Sequence, residues 1–167
     1  MRKLARQITF LLIYSSDMGQ TDYQDVLQHY LEQENLEDFL IAANILDGFP
    51  ELDEETLMSA LTTDDKRYIS ETVAGTMNHL MFVDKLIDEQ AQNWSTLRML
   101  SADKNILRLG TYELCFAPEK TDAAVIINEA VNLARIYGEE ESYKFVNAIL
   151  DAIYKNRATK DDLYEQC

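Results

Sequence analysis

The residues of this chain that could do chemistry are few and widely separated. His29 and His79 each sit inside a helical pattern with no cysteine or carboxylate at ligand spacing, which gives neither a zinc site nor a histidine base a constellation to work in. Cys115 lies in the apolar run "NILRLGTYELCF" and reads as a core residue rather than a nucleophile. No glycine-rich loop precedes a helix, so there is no phosphate cradle. With thirty acidic side chains in the chain, a carboxylate pair carries little information. The sequence therefore points away from an enzyme, and no cofactor or metal is expected.

What remains is the chemistry of a binding surface. Arg2, Lys3 and Arg6 put three cations at the N-terminus, and Lys144 and Phe145 stand together in "EEESYKFVNAILDAIYKN". An exposed aromatic gives a base a face to stack on, at about 1–3 kcal/mol per base, and an adjacent cation pairs the neighbouring phosphate; single-stranded nucleic acid is held in this way. The pattern alone leaves the plainer readings open. Three N-terminal bases are also a solvated end, and Phe145 adjoins Val146 and also fits the rim of a core.

The elements that must position these groups are helices. Five Gly and two Pro in 167 residues are too few for the reversals of a sandwich or barrel. A first helix starts near Arg2, with Leu4, Ile8, Leu11, Leu12 and Ser15 as its buried stripe and Lys3, Arg6 and Gln7 pointing elsewhere. Residues 21–63 are the least regular part, two helical pieces broken at Gly48 and Pro50. From Thr63 a stripe through Tyr68, Val73, Met77, Val83 and Ile87 predicts the longest helix. Ser101 reads as the N-cap of a central helix, residues 122–137 as the next, Gly138 as its C-terminal stop, and Glu139, Glu140 and Glu141 as the opening of the last. The expectation is an all-α fold, a single domain of about seven helices over residues 1–157 with a polar tail at 158–167.

The formal charge of −15 would oppose nucleic-acid binding if it were spread evenly. It is not: residues 17–65 hold fourteen acids and no Lys or Arg, whereas residues 1–16 hold only bases among their charged side chains. No apolar run reaches the roughly 18–20 residues of a membrane span, no signal-peptide cleavage pattern follows "ITFLLIY", and two cysteines do not make a disulfide framework. A cytoplasmic protein without membrane contact is expected.

In order and spacing, "NILRLGTYEL", "VIINEAVNLARIYG" and "ESYKFVNAILDAI" resemble the C-terminal half of the NusB family of bacterial transcription antitermination factors. "RKLARQITFLLIY" is similar to that family's arginine-rich first helix, and "YISETVAGTMNHLMFVDKLI" to its long middle helix. The resemblance implies two packed helical subdomains and a non-enzymatic RNA-binding role. It implies pairing with the NusE ribosomal protein on boxA-type single-stranded RNA within the RNA polymerase antitermination complex, in support of ribosomal RNA transcription, and homodimerisation as in some relatives. By position, Arg2, Lys3 and Arg6 match the RNA-contacting start, Lys144 and Phe145 the RNA-facing last helix, Glu141 an acid that modulates this binding, and Asp103 an acidic position facing the ribosomal-protein partner.

The chain departs from the family's pattern by having fewer arginines at its start, Ala148 where a glycine is usual, Asp122 and Ala124 in place of Pro-x-Lys, and the acidic 17–65 section. These departures lower positive charge and motivate an alternative, a relative that acts as a protein-interaction module with weakened or lost RNA binding.

Overall fold

A chain this poor in turn-formers spends most of its length in helices joined by short links. The computed structural model describes residues 1–32, 35–92 and 95–158, without the side chains of Glu32 and Ala158. Nine α-helices occur among these residues: α1 (Arg2–Gly19), α2 (Tyr23–Leu27), α3 (Leu36–Ala42), α4 (Glu54–Leu57), α5 (Thr63–Asn78), α6 (Leu80–Ala91), α7 (Ser101–Cys115), α8 (Ala123–Tyr137) and α9 (Ser142–Ala158). A π-helical turn follows α2, and 3-10 turns follow α3 and α4. The all-α class is as expected, while the acidic section contributes more and shorter helices than the sequence suggested. Beyond Ala158, the polar tail lies outside the described residues.

The chain separates into two compact units, Met1–Ala74 and the part from Gly75 onward. In the first unit, α1 departs from its expected amphipathic pattern. Every residue from Leu4 to Ile13 is buried, Arg6 and Gln7 included. Arg6 is only 5% exposed, and its guanidinium lies 5.7 Å from the centre of the Tyr68 ring, within the range of a cation–π contact. A polar letter in the pattern thus marks a side chain buried beside an aromatic rather than a solvent face.

The stripe that reads as one long helix is two, because α5 ends at Asn78 and α6 begins at Leu80. His79 lies between them, and both its backbone N–H (3.1 Å) and its ring Nδ1 (2.7 Å) reach the carbonyl oxygen of Gly75. A side chain that bonds the carbonyl four residues back competes with the regular backbone bond and bends the helix. The longest described helix is instead α1, with 18 residues.

In the second unit α7 is the centre. It packs on α6, α8 and α9, and α8 and α9 pack on each other. Its residues from Asn105 to Leu114 are all buried, as its many-sided apolar pattern predicts. Arg108 lies among them, and its guanidinium donates from Nε and Nη2 to the two carboxylate oxygens of Asp84 on α6, both at 2.8 Å, and from Nη1 to Asn105 Oδ1 at 3.1 Å. Ser101 is the first helical residue of α7 rather than its cap, a place taken by Leu100. Asp122 caps α8 through the Ala124 N–H at 2.9 Å.

Gly75 has a packing reason to lack a side chain, since an added Cβ would overlap the Tyr112 ring and hydroxyl. Replacing a helical glycine by alanine ordinarily stabilises by roughly 1 kcal/mol. Here the overlap with a buried ring dominates, because forcing atoms into a filled core costs about 1–3 kcal/mol. Gly75→Ala will therefore lower the urea unfolding midpoint, and an unchanged or raised midpoint would show that Tyr112 moves aside freely.

Candidate nucleic-acid interface

The cations expected at the N-terminus fall in different environments. Lys3 is exposed, Arg6 is buried, and Arg2 is engaged with neighbours from the start of α5. Arg2 Nη2 donates to Asp64 Oδ2 at 2.8 Å, and the Arg2 guanidinium sits over the Tyr68 ring, 4.1 Å from its centre. The other oxygen of the same carboxylate accepts from Arg67 Nη2. Arg67, with Arg2 adding to it, holds the Asp64 carboxyl below the usual carboxylate range. Asp65 next to it accepts from the Met1 ammonium at 2.7 Å and from the Thr62 N–H at 3.1 Å, while Thr62 Oγ1 accepts from the Asp65 N–H at 3.0 Å. This reciprocal pair is a capping box at the start of α5. Asp64 and Asp65, the acids in the first turn of α5, thus hold the N-terminal cations as well.

The second group lies at the start of α9. The helix begins at Ser142, so Glu139, Glu140 and Glu141 precede it rather than forming its first turn. Gly138 is not a left-handed stop: its φ of −87° and ψ of −171° are extended. Its small size is used for closeness, since an added Cβ would come within 2.6 Å of the Ala134 carbonyl oxygen and Ser142 Oγ. Ser142 Oγ accepts from the Glu139 N–H at 2.9 Å and so holds the turn shut.

From that turn Lys144 extends into solvent and Phe145 is half-buried. Lys144 Nζ pairs with Glu141 at 3.1 Å, and this carboxylate raises the Lys144 ammonium above its usual range. Tyr143 is flanked by two cations, with the Arg135 guanidinium 4.8 Å and Lys144 Nζ 5.8 Å from its ring centre. Sequence reasoning missed Tyr143, Arg135 and Arg67. The first two lie on different helices, and no local period connects residues eight apart across a turn.

Asp103 on α7 is only 6% exposed. Burial pushes its carboxyl up, a hydrogen bond from Ser142 opposes this, and the nearby charge of Glu139 adds to the rise. Its Oδ1 meets no donor among the described residues. Asp103 thus lies beneath the Glu139–Ser142 turn, joined to the element that presents Lys144 and Phe145.

These features define an all-helical protein whose cationic and aromatic groups are set at helix starts, each exposed cation of a pair held by a resident carboxylate. The family model of the NusB family matches residues 3–155, and the chain belongs to that family. It is 34% identical over 156 residues to the transcription antitermination protein NusB of Elusimicrobium minutum, covering 93% of this chain and 94% of that relative. Among solved structures, NusB of T. maritima superposes with a TM-score of 0.71 at 29% identity, over 93% of this chain and 91% of the other. A crystal structure of the antitermination factors NusB and NusE in complex with dsRNA matches with a TM-score of 0.69 at 26% identity, over 93% of this chain and 96% of that one. No helix among the described residues is long and apolar enough to cross a membrane.

The raised Asp103 carboxyl fixes the sign of a pH effect. A carboxyl whose folded value lies above its unfolded one contributes stability at low pH that is lost as pH rises through the folded value. Asp103→Asn removes that loss, so the variant will gain stability relative to the unaltered chain between about pH 4 and pH 7. Urea unfolding at both values checks this, and a difference independent of pH would refute it.

Proposed function

We propose that this chain is a non-enzymatic, RNA-binding transcription antitermination factor that pairs with the NusE ribosomal protein on boxA-type single-stranded RNA. In this reading it works in the cytoplasm, within the antitermination complex of RNA polymerase, and supports ribosomal RNA transcription. The observation that carries the reading is membership of the NusB family together with likeness, over nearly the whole chain, to a NusB found with NusE and RNA.

The local chemistry supports it. Lys144 is exposed beside a half-buried Phe145, which suits one cation for a phosphate and one partly exposed ring for a base. Arg2 and Lys3 supply further phosphate contacts, and Glu141 weakens the grip of Lys144 by occupying it. Buried Arg6 supports the first helix from within. Asp103 serves the partner side indirectly, by holding the turn ahead of α9.

Titration of labelled boxA-type RNA with the chain, with and without NusE, tests the reading. Salt-sensitive binding that strengthens with NusE is expected, and its absence in both arms would reject the reading. Phe145→Ala separates contact from core: loss of a stacked base weakens RNA binding by about 1–3 kcal/mol. A half-buried ring should cost the fold less than the roughly 3–5 kcal/mol of a fully buried phenylalanine. A variant that loses stability on that larger scale and keeps its RNA affinity would place Phe145 in the core alone.

A further inference from the structure

The start of α5 holds two groups beside Arg2, Asp64 and Arg67, that the RNA-contact assignments leave unused. One carboxylate, Asp64, is shared between two guanidiniums, with Oδ2 on Arg2 and Oδ1 on Arg67. Arg2 is held in orientation by the Tyr68 ring face, and its Nη1 is buried with no hydrogen-bond acceptor among the described residues. The other two partners are open to solvent, with side-chain exposures of 56% for Asp64 and 58% for Arg67. The guanidinium pair is thus partly fixed by the Tyr68 ring on one side, and the carboxylate between its members is exposed to solvent.

We propose that Arg2 and Arg67 form a two-guanidinium clamp for a backbone phosphate of single-stranded RNA, and that Asp64 occupies the clamp as a built-in competitor. A phosphodiester carries two non-bridging oxygens, and guanidiniums bind such paired oxygens with charge-assisted hydrogen bonds. The carboxylate between Arg2 and Arg67 presents one oxygen to each, the arrangement those two phosphate oxygens would adopt. An exposed ion pair is held weakly, so a phosphate can replace Asp64 without opening the fold. The start of a helix also favours negative charge, and Asp64 lies in the first turn of α5.

Arg67 is thereby a phosphate contact in addition to Arg2, and the acidic section contributes to RNA affinity through one identified side chain. The exchange has a thermodynamic signature. A cation already neutralised by a protein carboxylate releases few salt ions when RNA arrives, so the unaltered chain's salt dependence understates its contacts.

The inference rests on the RNA-binding reading above, and the test distinguishes the two. The same labelled single-stranded RNA is titrated at several salt concentrations against the full chain, Asp64→Asn, Glu54→Gln and Asp64→Asn/Arg67→Ala. Glu54 is an exposed acid elsewhere in the acidic section, so Glu54→Gln removes the same formal charge away from the clamp.

Asp64→Asn should bind about two- to fivefold more tightly than the full chain, with a log–log salt slope steeper by about 0.7 per phosphate gained. Glu54→Gln should change little, and adding Arg67→Ala should reverse both gains. If the full chain binds RNA and Asp64→Asn matches either it or Glu54→Gln, the clamp is overturned and the RNA reading stands. Binding by Asp64→Asn alone would support the clamp in its strongest form. If neither binds at low salt, with or without NusE, the RNA reading fails and takes the clamp with it.

Discussion

The guanidinium of Arg108 is the constraint on which the second unit depends. Placed in the middle of a helix buried on every side, it would be a severe penalty if left unpaired, because a charge without a partner in a low-dielectric interior is among the costliest defects a fold can carry. Asp84 meets it with both carboxylate oxygens and Asn105 takes its remaining edge. These bonds tie α6 to α7 in a fixed rotation. Since α8 and α9 both pack on α7, the turn that presents Lys144 and Phe145 inherits that rotation. A buried guanidinium and its half-buried carboxylate partner thus set where groups at the surface point.

Much of this was legible in the sequence, and the reasons for what was not are local. The helical class followed from scarce Gly and Pro, and the many-sided α7 from apolar residues that fit no single stripe. Arg108 was visible as the one cation in "NILRLGTYELCF", yet its partner lies 24 residues earlier and no helical period links them. The same limit applies to Arg6, which is buried with its guanidinium beside Tyr68 from another helix. The break at His79 was hidden because hydrophobic periodicity runs across it, whereas the ring's bond to the Gly75 carbonyl leaves no mark in that periodicity. Gly138 was read by its usual habit, whereas its role here is to let Ser142 approach.

The two cationic places share an electrostatic design despite lying in separate units. Lys144 is paired with Glu141, and Arg2 with Asp64. Neither carboxylate is buried, so each holds its cation without committing it. For a chain with a formal charge of −15, this restrains the long-range attraction that would otherwise draw polyanions to isolated basic patches, and it leaves short-range fit to decide what binds. Acidity and an RNA-binding role are thereby compatible.

Gly138 has a consequence for anyone mapping the proposed function genetically. A side chain there would displace Ser142, which closes the Glu139 turn and supplies a hydrogen bond to Asp103, and so would shift the first turn of α9. Substitutions at this position would be scored in a screen as interface mutants, grouped by phenotype with changes at Lys144 or Phe145, though residue 138 itself need touch no nucleotide. Genetic footprints of this surface will consequently be wider than the physical one, and the surplus will follow the tightest backbone approach rather than the line of contact.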